Sequence, residues 1–160
     1  MKTQNDAARA ELDGPWSTFS LGEERFAVRA ADVQEVMMEQ PLTPVPLAPA
    51  HIVGLLNLRG QVMPAIDLRR RLNFPAREAG APCSFLVLKT AEQPVSIVVD
   101  AIGDVIDIDA SAWEPLPETL DGQHRHCVFG ICPTNPGVIL GVRVASISTD
   151  EELPTAGAKA

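Results

Sequence analysis

The stretch that decides the fold is Ile52-Val-Gly-Leu-Leu-Asn-Leu-Arg-Gly-Gln-Val-Met-Pro-Ala-Ile-Asp-Leu68, two apolar runs folded back at Arg59-Gly60. Leu56 and Leu58 alternate with Asn57 and Arg59, and Val62 alternates with Gln61 and Met63, the period of two that half-buried strands require. The segment predicts a β-hairpin. Gly60 supplies the positive φ of a tight turn, and that geometry lifts the Arg59 side chain clear of the sheet. An arginine cannot give up its proton, and no acid, thiol or hydroxyl adjoins it, so a charge displayed this way suits recognition rather than catalysis. Leu55, Leu56 and Leu58 place apolar area beside it, the composition of interface hot spots.

Outward from the hairpin the chain keeps the same texture. Trp16–Leu21 turns at Gly22-Glu23-Glu24 into Arg25–Arg29, and Val33–Met38 follows, giving three short strands. Pro41, Pro44, Pro46 and Pro49 make an extended connector that cannot be a central strand. Leu68-Arg-Arg-Arg-Leu72 predicts one helical turn before Pro75, and 75–82 reads as a linker dividing the chain. Ser84–Lys89, Pro94–Val99, Val105–Ile108, Cys127–Cys132 and Val138–Val144 are further short apolar runs. Residues 1–15 and 151–160 lack periodicity and read as flexible tails flanking a domain over 16–150.

The two halves resemble each other. Phe26–Val36 sets against Val95–Val105 at a constant offset, with Pro46 falling against Pro115, Val53-Gly54 against Phe129-Gly130, and Gly60 against Gly137. A duplicated set of short strands predicts an all-β protein of two small barrels, each closed and packed on the other to hide its edges and enlarge the core.

Composition excludes several classes. With 160 residues and a formal net charge of -8, the chain is poorly suited to nucleic acid, which needs clustered Lys and Arg. No apolar run reaches the roughly 18 residues of a membrane span, and the polar start lacks a signal-peptide core; no membrane insertion and a cytoplasmic location are the expectation. Three cysteines, Cys83, Cys127 and Cys132, are an odd number and predict reduced thiols.

Clusters that could carry chemistry are weak. His124, His126, Cys127 and Cys132 are of metal-ligand type, but in a strand His126 and Cys127 would face opposite ways, and no paired C-x-x-C completes a zinc site. Structural cysteines with loop histidines are the expectation, a small metal-binding protein the alternative. Asp100, Asp104, Asp107 and Asp109 lack the loop of an EF-hand and read as a solvated strand edge. His51 has no nucleophile placed beside it, so no catalytic residue and no cofactor is expected. Met37 and Met38 read as core, and Glu35 as exposed if Val36 is buried.

Asn57-Leu-Arg-Gly60 followed by Pro64-Ala-Ile-Asp-Leu68, preceded by Val33-Gln-Glu-Val36 and Thr43-Pro-Val-Pro46, resembles the CheW family of chemotaxis coupling proteins. Thr18–Phe26 and Val95–Asp100 extend the likeness, which covers about Trp16 to Val144. The resemblance implies two five-stranded SH3-like barrels over a shared hydrophobic core. It implies an adaptor, not an enzyme, tying the cytoplasmic tip of a chemoreceptor to the regulatory domain of a CheA-type histidine kinase. On this likeness Arg59, Gly54, Ser84, Phe85, Ser96, Ile102 and Val105 are receptor-binding, and Val33 and Glu35 are kinase-binding. Ser96 stands where the family commonly has glycine and Ser84 where it has an aliphatic residue, which implies a more polar groove. Gly141–Ser148 lacks the family's closing acid and leucines, which implies a missing closing helix, or its role left to Leu153 and the tail, and suits an adaptor of a non-flagellar chemosensory array.

Overall fold

The computed structural model describes residues 12–120 and 122–147; most of the expected N-terminal tail, all of the expected C-terminal tail, and residues 121 and 148–150 of the expected domain lie outside the described residues. The strands are β1 Gly14–Leu21, β2 Glu24–Arg29, β3 Val33–Met38, β4 Ile52–Leu58 and β5 Gln61–Asp67, then β6 Ser84–Leu88, β7 Val95–Val99, β8 Ala101–Ile108, β9 Val128–Pro133 and β10 Val138–Val142. Three short helices accompany them: α1 Leu68–Arg71, α2 Gly122–Cys127 and α3 Val144–Ile147. The first strand begins two residues before the expected boundary, and Leu12 already accepts a hydrogen bond from Trp16 Nε1 at 3.0 Å. Strand β8 is longer than its apolar run Val105–Ile108, because Gly103 and Asp104 are carried as a bulged, exposed stretch against β1.

The strands form two five-stranded sheets, β8-β1-β2-β10-β9 and β3-β6-β7-β5-β4. The sequence halves and the sheets are therefore different divisions. Each half is divided after its second strand: β1 and β2 join β8, β9 and β10 in one sheet, β6 and β7 join β3, β4 and β5 in the other, and the 75–82 linker joins β5 to β6 inside one sheet instead of separating two barrels. The crossings between sheets are short: three residues, a 3-10 turn over Ala30–Asp32, separate β2 from β3, and Asp100 alone separates β7 from β8.

The duplication is visible in the ladders. Val33↔Leu88, Val36↔Leu86 and Met37↔Phe85 in one sheet are matched by Ile102↔Phe19, Val105↔Ser17 and Ile106↔Trp16 in the other. The bulge falls at the same place in both. Likewise Ala65↔Gly54 is matched by Gly141↔Gly130, and Asn57↔Val62 by Pro133↔Val138. This register makes Asn135, not a neighbour of Gly137, the counterpart of Arg59, so the expected match of Gly60 to Gly137 is off by one. Thr43 bridges to Leu55 as Glu114 bridges to Ile131, so Pro44 rather than Pro46 corresponds to Pro115.

Those bridges explain two glycines. A Cβ on Gly54 would lie 2.8 Å from Leu42 Cβ and 2.9 Å from Thr43 O, and one on Gly130 would lie 2.8 Å from Glu114 O. In each copy the extended connector runs directly over the edge strand, and only glycine leaves it room.

Apolar side chains form three clusters. Leu56, Met63, Ala65, Phe85, Val87 and Val98 fill one barrel; Trp16, Ala27, Ile108, Cys132 and Ile139 fill the other. The largest cluster lies between the sheets, with Phe19, Phe26, Leu86, Ile97, Leu140 and Ile147 among its members. Strand β7 is buried along its whole length because one face lines a barrel and the other the shared core, which is why it reads as continuous Val and Ile rather than alternating.

A short helix, α3, follows β10, as α1 follows β5, and Ile147 is fully buried in the shared core; Leu153 and the tail lie outside the described residues. Arg71 of α1, 1% exposed, donates from Nε to Ile147 O at 3.1 Å and from Nη2 to Ser146 O at 3.0 Å. A buried guanidinium thus ties α1 to α3 through charge-assisted bonds to backbone carbonyls.

Candidate docking surfaces

The β4–β5 hairpin closes with Leu58 opposite Gln61, leaving Arg59-Gly60 as a two-residue loop. Both residues have positive φ, 52° and 89°, the type I′ geometry that matches strand twist. Glycine was expected to absorb this alone; Arg59 shares it. Asn57 Oδ1 accepts from Gly60 N at 3.0 Å and fixes the turn from below. The Arg59 side chain is 69% exposed and forms a bidentate ion pair with Glu35 on β3, with Nη1 3.4 Å from Oε2 and Nη2 bound to Oε1. The hydrogen bonds and charge of Glu35 push the guanidinium pKa further up. One residue expected on the receptor side and one expected on the kinase side therefore touch.

The other receptor-side residues divide by burial. Val105 is 61% exposed on β8, the edge strand of the first sheet, and Ile102 on the same strand is half-buried against the shared core. Ser84 is half-buried at the start of β6, opposite Met38 and Val99. Gly54, Phe85 and Ser96 are buried. Against the expectation of groove lining, Phe85 packs in a barrel interior and Gly54 lies beneath the connector at Leu42 and Thr43. The Ser96 hydroxyl donates to Pro64 O at 3.0 Å and is satisfied inside the sheet, so it adds no polarity to a groove.

Strand β3 reverses an expectation. Val36 is 46% exposed and Met38 80% exposed, whereas Glu35 is half-buried and Met37 packs on the barrel interior. Val33 is half-buried on the shared core. The register above makes Val36 the counterpart of Val105 and Val33 the counterpart of Ile102. Strands β3 and β8 thus present equivalent surfaces, each with an exposed valine beside an acidic residue. Val36 was overlooked on the sequence, although its alignment with Val105 was present there.

The acidic run is not uniform. Asp100, between β7 and β8, accepts from Arg69 Nε at 2.9 Å and Nη2 at 2.6 Å, from Arg77 Nε at 3.0 Å, and from Gly22 N at 2.7 Å. Hydrogen bonds from Arg69 hold its carboxyl well below the usual carboxylate range. It clasps the β1–β2 turn, α1 and the linker together, instead of lying solvated. Asp104, Asp107 and Asp109 are exposed, as expected. The segment of His124, His126 and Cys127 is a helix rather than a strand, and Cys127 is buried in the shared core. Among the described residues no group of three or more potential metal ligands occurs, and no helix is long and apolar enough to cross a membrane.

Comparison with known proteins bears on this arrangement. A family model described as CheW-like domain matches residues 16–152. The chemotaxis protein CheW of Rhizobium meliloti is 30% identical over 134 residues, 84% of this chain and 86% of that protein. Protein FrzA of Myxococcus xanthus is 31% identical over 120 residues, 75% of each. The crystal structure of the scaffolding protein TtCheW from Thermoanaerobacter tengcongensis superposes with a TM-score of 0.76 at 31% identity, covering 84% of this chain and 92% of that one. With two packed five-stranded sheets, the same fold in a solved scaffold and a family match across the folded region, the chain belongs to the CheW family of chemotaxis scaffold proteins.

Proposed function

We propose that this chain is an adaptor of a chemosensory system, working in the cytoplasm by binding alone, that holds a chemoreceptor tip on one surface and the regulatory domain of a CheA-type histidine kinase on another. The observation that carries the reading is the pair of equivalent exposed strips on the counterpart strands, Val36 on β3 and Val105 on β8. An adaptor needs two faces, and duplication with each half divided between the sheets supplies one on each sheet. The receptor helix meets β8 at Ile102 and Val105, with Ser84 beside the sheet junction and Gly54, Phe85 and Ser96 shaping the surface from within. The kinase domain meets β3 at Val33, Glu35 and Val36 by docking one barrel on another.

Arg59 links the two. It is a receptor-side residue held by a kinase-side carboxylate, in an exposed pair that opens at little cost. A receptor that recruits the guanidinium frees Glu35, and a kinase that recruits Glu35 frees Arg59, so each partner biases the other through a shared contact. The test is bridging: the kinase should co-sediment with membranes bearing the receptor only when this chain is added. Co-sedimentation that is the same with and without the chain would contradict the reading.

A further inference from the structure

The duplication places Asp104 where Glu35 stands. Ile102, Val105 and Ile106 on β8 occupy the ladder positions of Val33, Val36 and Met37 on β3, so the acid before each exposed valine is the same position in the two copies. In the first copy that acid is met by Arg59 from its own barrel. In the second copy the hairpin position of Arg59 holds Asn135, since Pro133↔Val138 corresponds to Asn57↔Val62. That hairpin position supplies no cation.

Asp104 is exposed, and among the described residues its carboxylate makes no ion pair, while its backbone carbonyl accepts from Thr18 Oγ1 at 2.6 Å. It borders a groove lined by Thr18, Phe19, Ile102 and Ile106, where Arg25 also lies without pairing with it. An acid beside an exposed valine is left open on β8, whereas the same arrangement on β3 is closed by an internal arginine.

We propose that Asp104 takes an arginine or lysine from the docked partner, which completes across the interface the ion pair that Arg59 and Glu35 make within the chain. This rests on the reading of β8 as the receptor-binding face. The occupant is a receptor segment that carries a basic residue beside an apolar one, the apolar side chain meeting Val105 and the cation meeting Asp104. Desolvation by the apolar contact is what makes such a pair count, because a charge-assisted bond is strengthened once water is excluded.

The probe is the purified cytoplasmic signalling fragment of a chemoreceptor from the same genome, titrated against the full chain at two salt concentrations. Asp104→Asn should weaken binding about tenfold and flatten its salt dependence. Asn135→Arg, which restores a guanidinium at the second hairpin tip, should weaken it as well by satisfying Asp104 internally. Neither should alter binding of the kinase regulatory domain. Wild-type affinity in both variants, with binding lost in Val105→Arg, would overturn the role of Asp104 while leaving the β8 face intact. Wild-type affinity in Val105→Arg would instead overturn the face itself. Loss of kinase binding or self-association in Asp104→Asn, with the receptor fragment unaffected, would show the occupant to be wrong.

Discussion

Replacing Arg71 should unlock the end of the chain. Its guanidinium is 1% exposed and serves Ile147 O and Ser146 O, the last described carbonyls of α3. In Arg71→Met the apolar stem is approximately kept, so the loss falls on the hydrogen bonds. Each buried carbonyl left without a donor costs about 1–3 kcal/mol. Relief of the desolvation of the guanidinium and entry of water offset part of this, which puts the expected destabilisation at about 3 kcal/mol. That is a large share of the roughly 5–15 kcal/mol that holds a domain. Urea unfolding followed by the fluorescence of Trp16 and Trp113, whose tilted rings lie 4.8 Å apart in the second barrel, reads the change. With an m-value of about 2 kcal/mol/M, the midpoint should fall by about 1.5 M. Arg71→Lys, which keeps the charge but not the fork, should fall between. A midpoint for Arg71→Met within about 0.25 M of wild type would refute the assignment of Arg71 as the clasp on α3.

Three further outcomes follow from the same geometry. Gly54→Ala and Gly130→Ala should each destabilise by about 1–3 kcal/mol through overpacking against the connectors, measured as shifts in urea midpoint; unchanged midpoints would contradict the close approach at Thr43 and Glu114. Asp100 has its carboxyl held below the ordinary range by Arg69, so its contribution is complete above the unfolded value of about 4 and is lost as pH falls below it. The stability gap between wild type and Asp100→Asn should be level between about pH 5 and 8 and shrink below about pH 4; a gap that widens with acid would reverse the sign. Elemental analysis of the native protein should find no stoichiometric zinc; one equivalent would revive a metal site around His126 and Cys127.

Much of the fold was legible because strand length, alternation and glycine or proline punctuation are local properties. The hairpin at Arg59-Gly60, the helical turn at Leu68, and the alignment of Phe26–Val36 with Val95–Val105 all rest on neighbours in sequence and stand in the structure. The change of sheet between β2 and β3 and between β7 and β8 was not legible, since period two is the same whichever sheet a strand joins. That ambiguity misplaced the burial of Val36 and Met38, whose outward side is decided by the other half of the chain. Gly54 makes room for Thr43, a close approach between segments that no local pattern announces. Arg71 passed unnoticed within Leu68-Arg-Arg-Arg-Leu72, where nothing local distinguishes the one arginine that turns inward. The short helix at α2 was missed for a related cause, since Gly122–Cys127 carries no apolar period of its own.

The central claim, that duplication with each half divided between the sheets gives this scaffold two equivalent faces for two partners, is tested most directly by reciprocal substitution. Val36→Arg and Val105→Arg change counterpart positions that are both exposed, so neither should disturb folding. Binding of each variant to the kinase regulatory domain and to the receptor signalling fragment should show that Val36→Arg loses the kinase and keeps the receptor, and that Val105→Arg does the reverse. Loss of both partners in either variant, or of neither in both, would contradict the account.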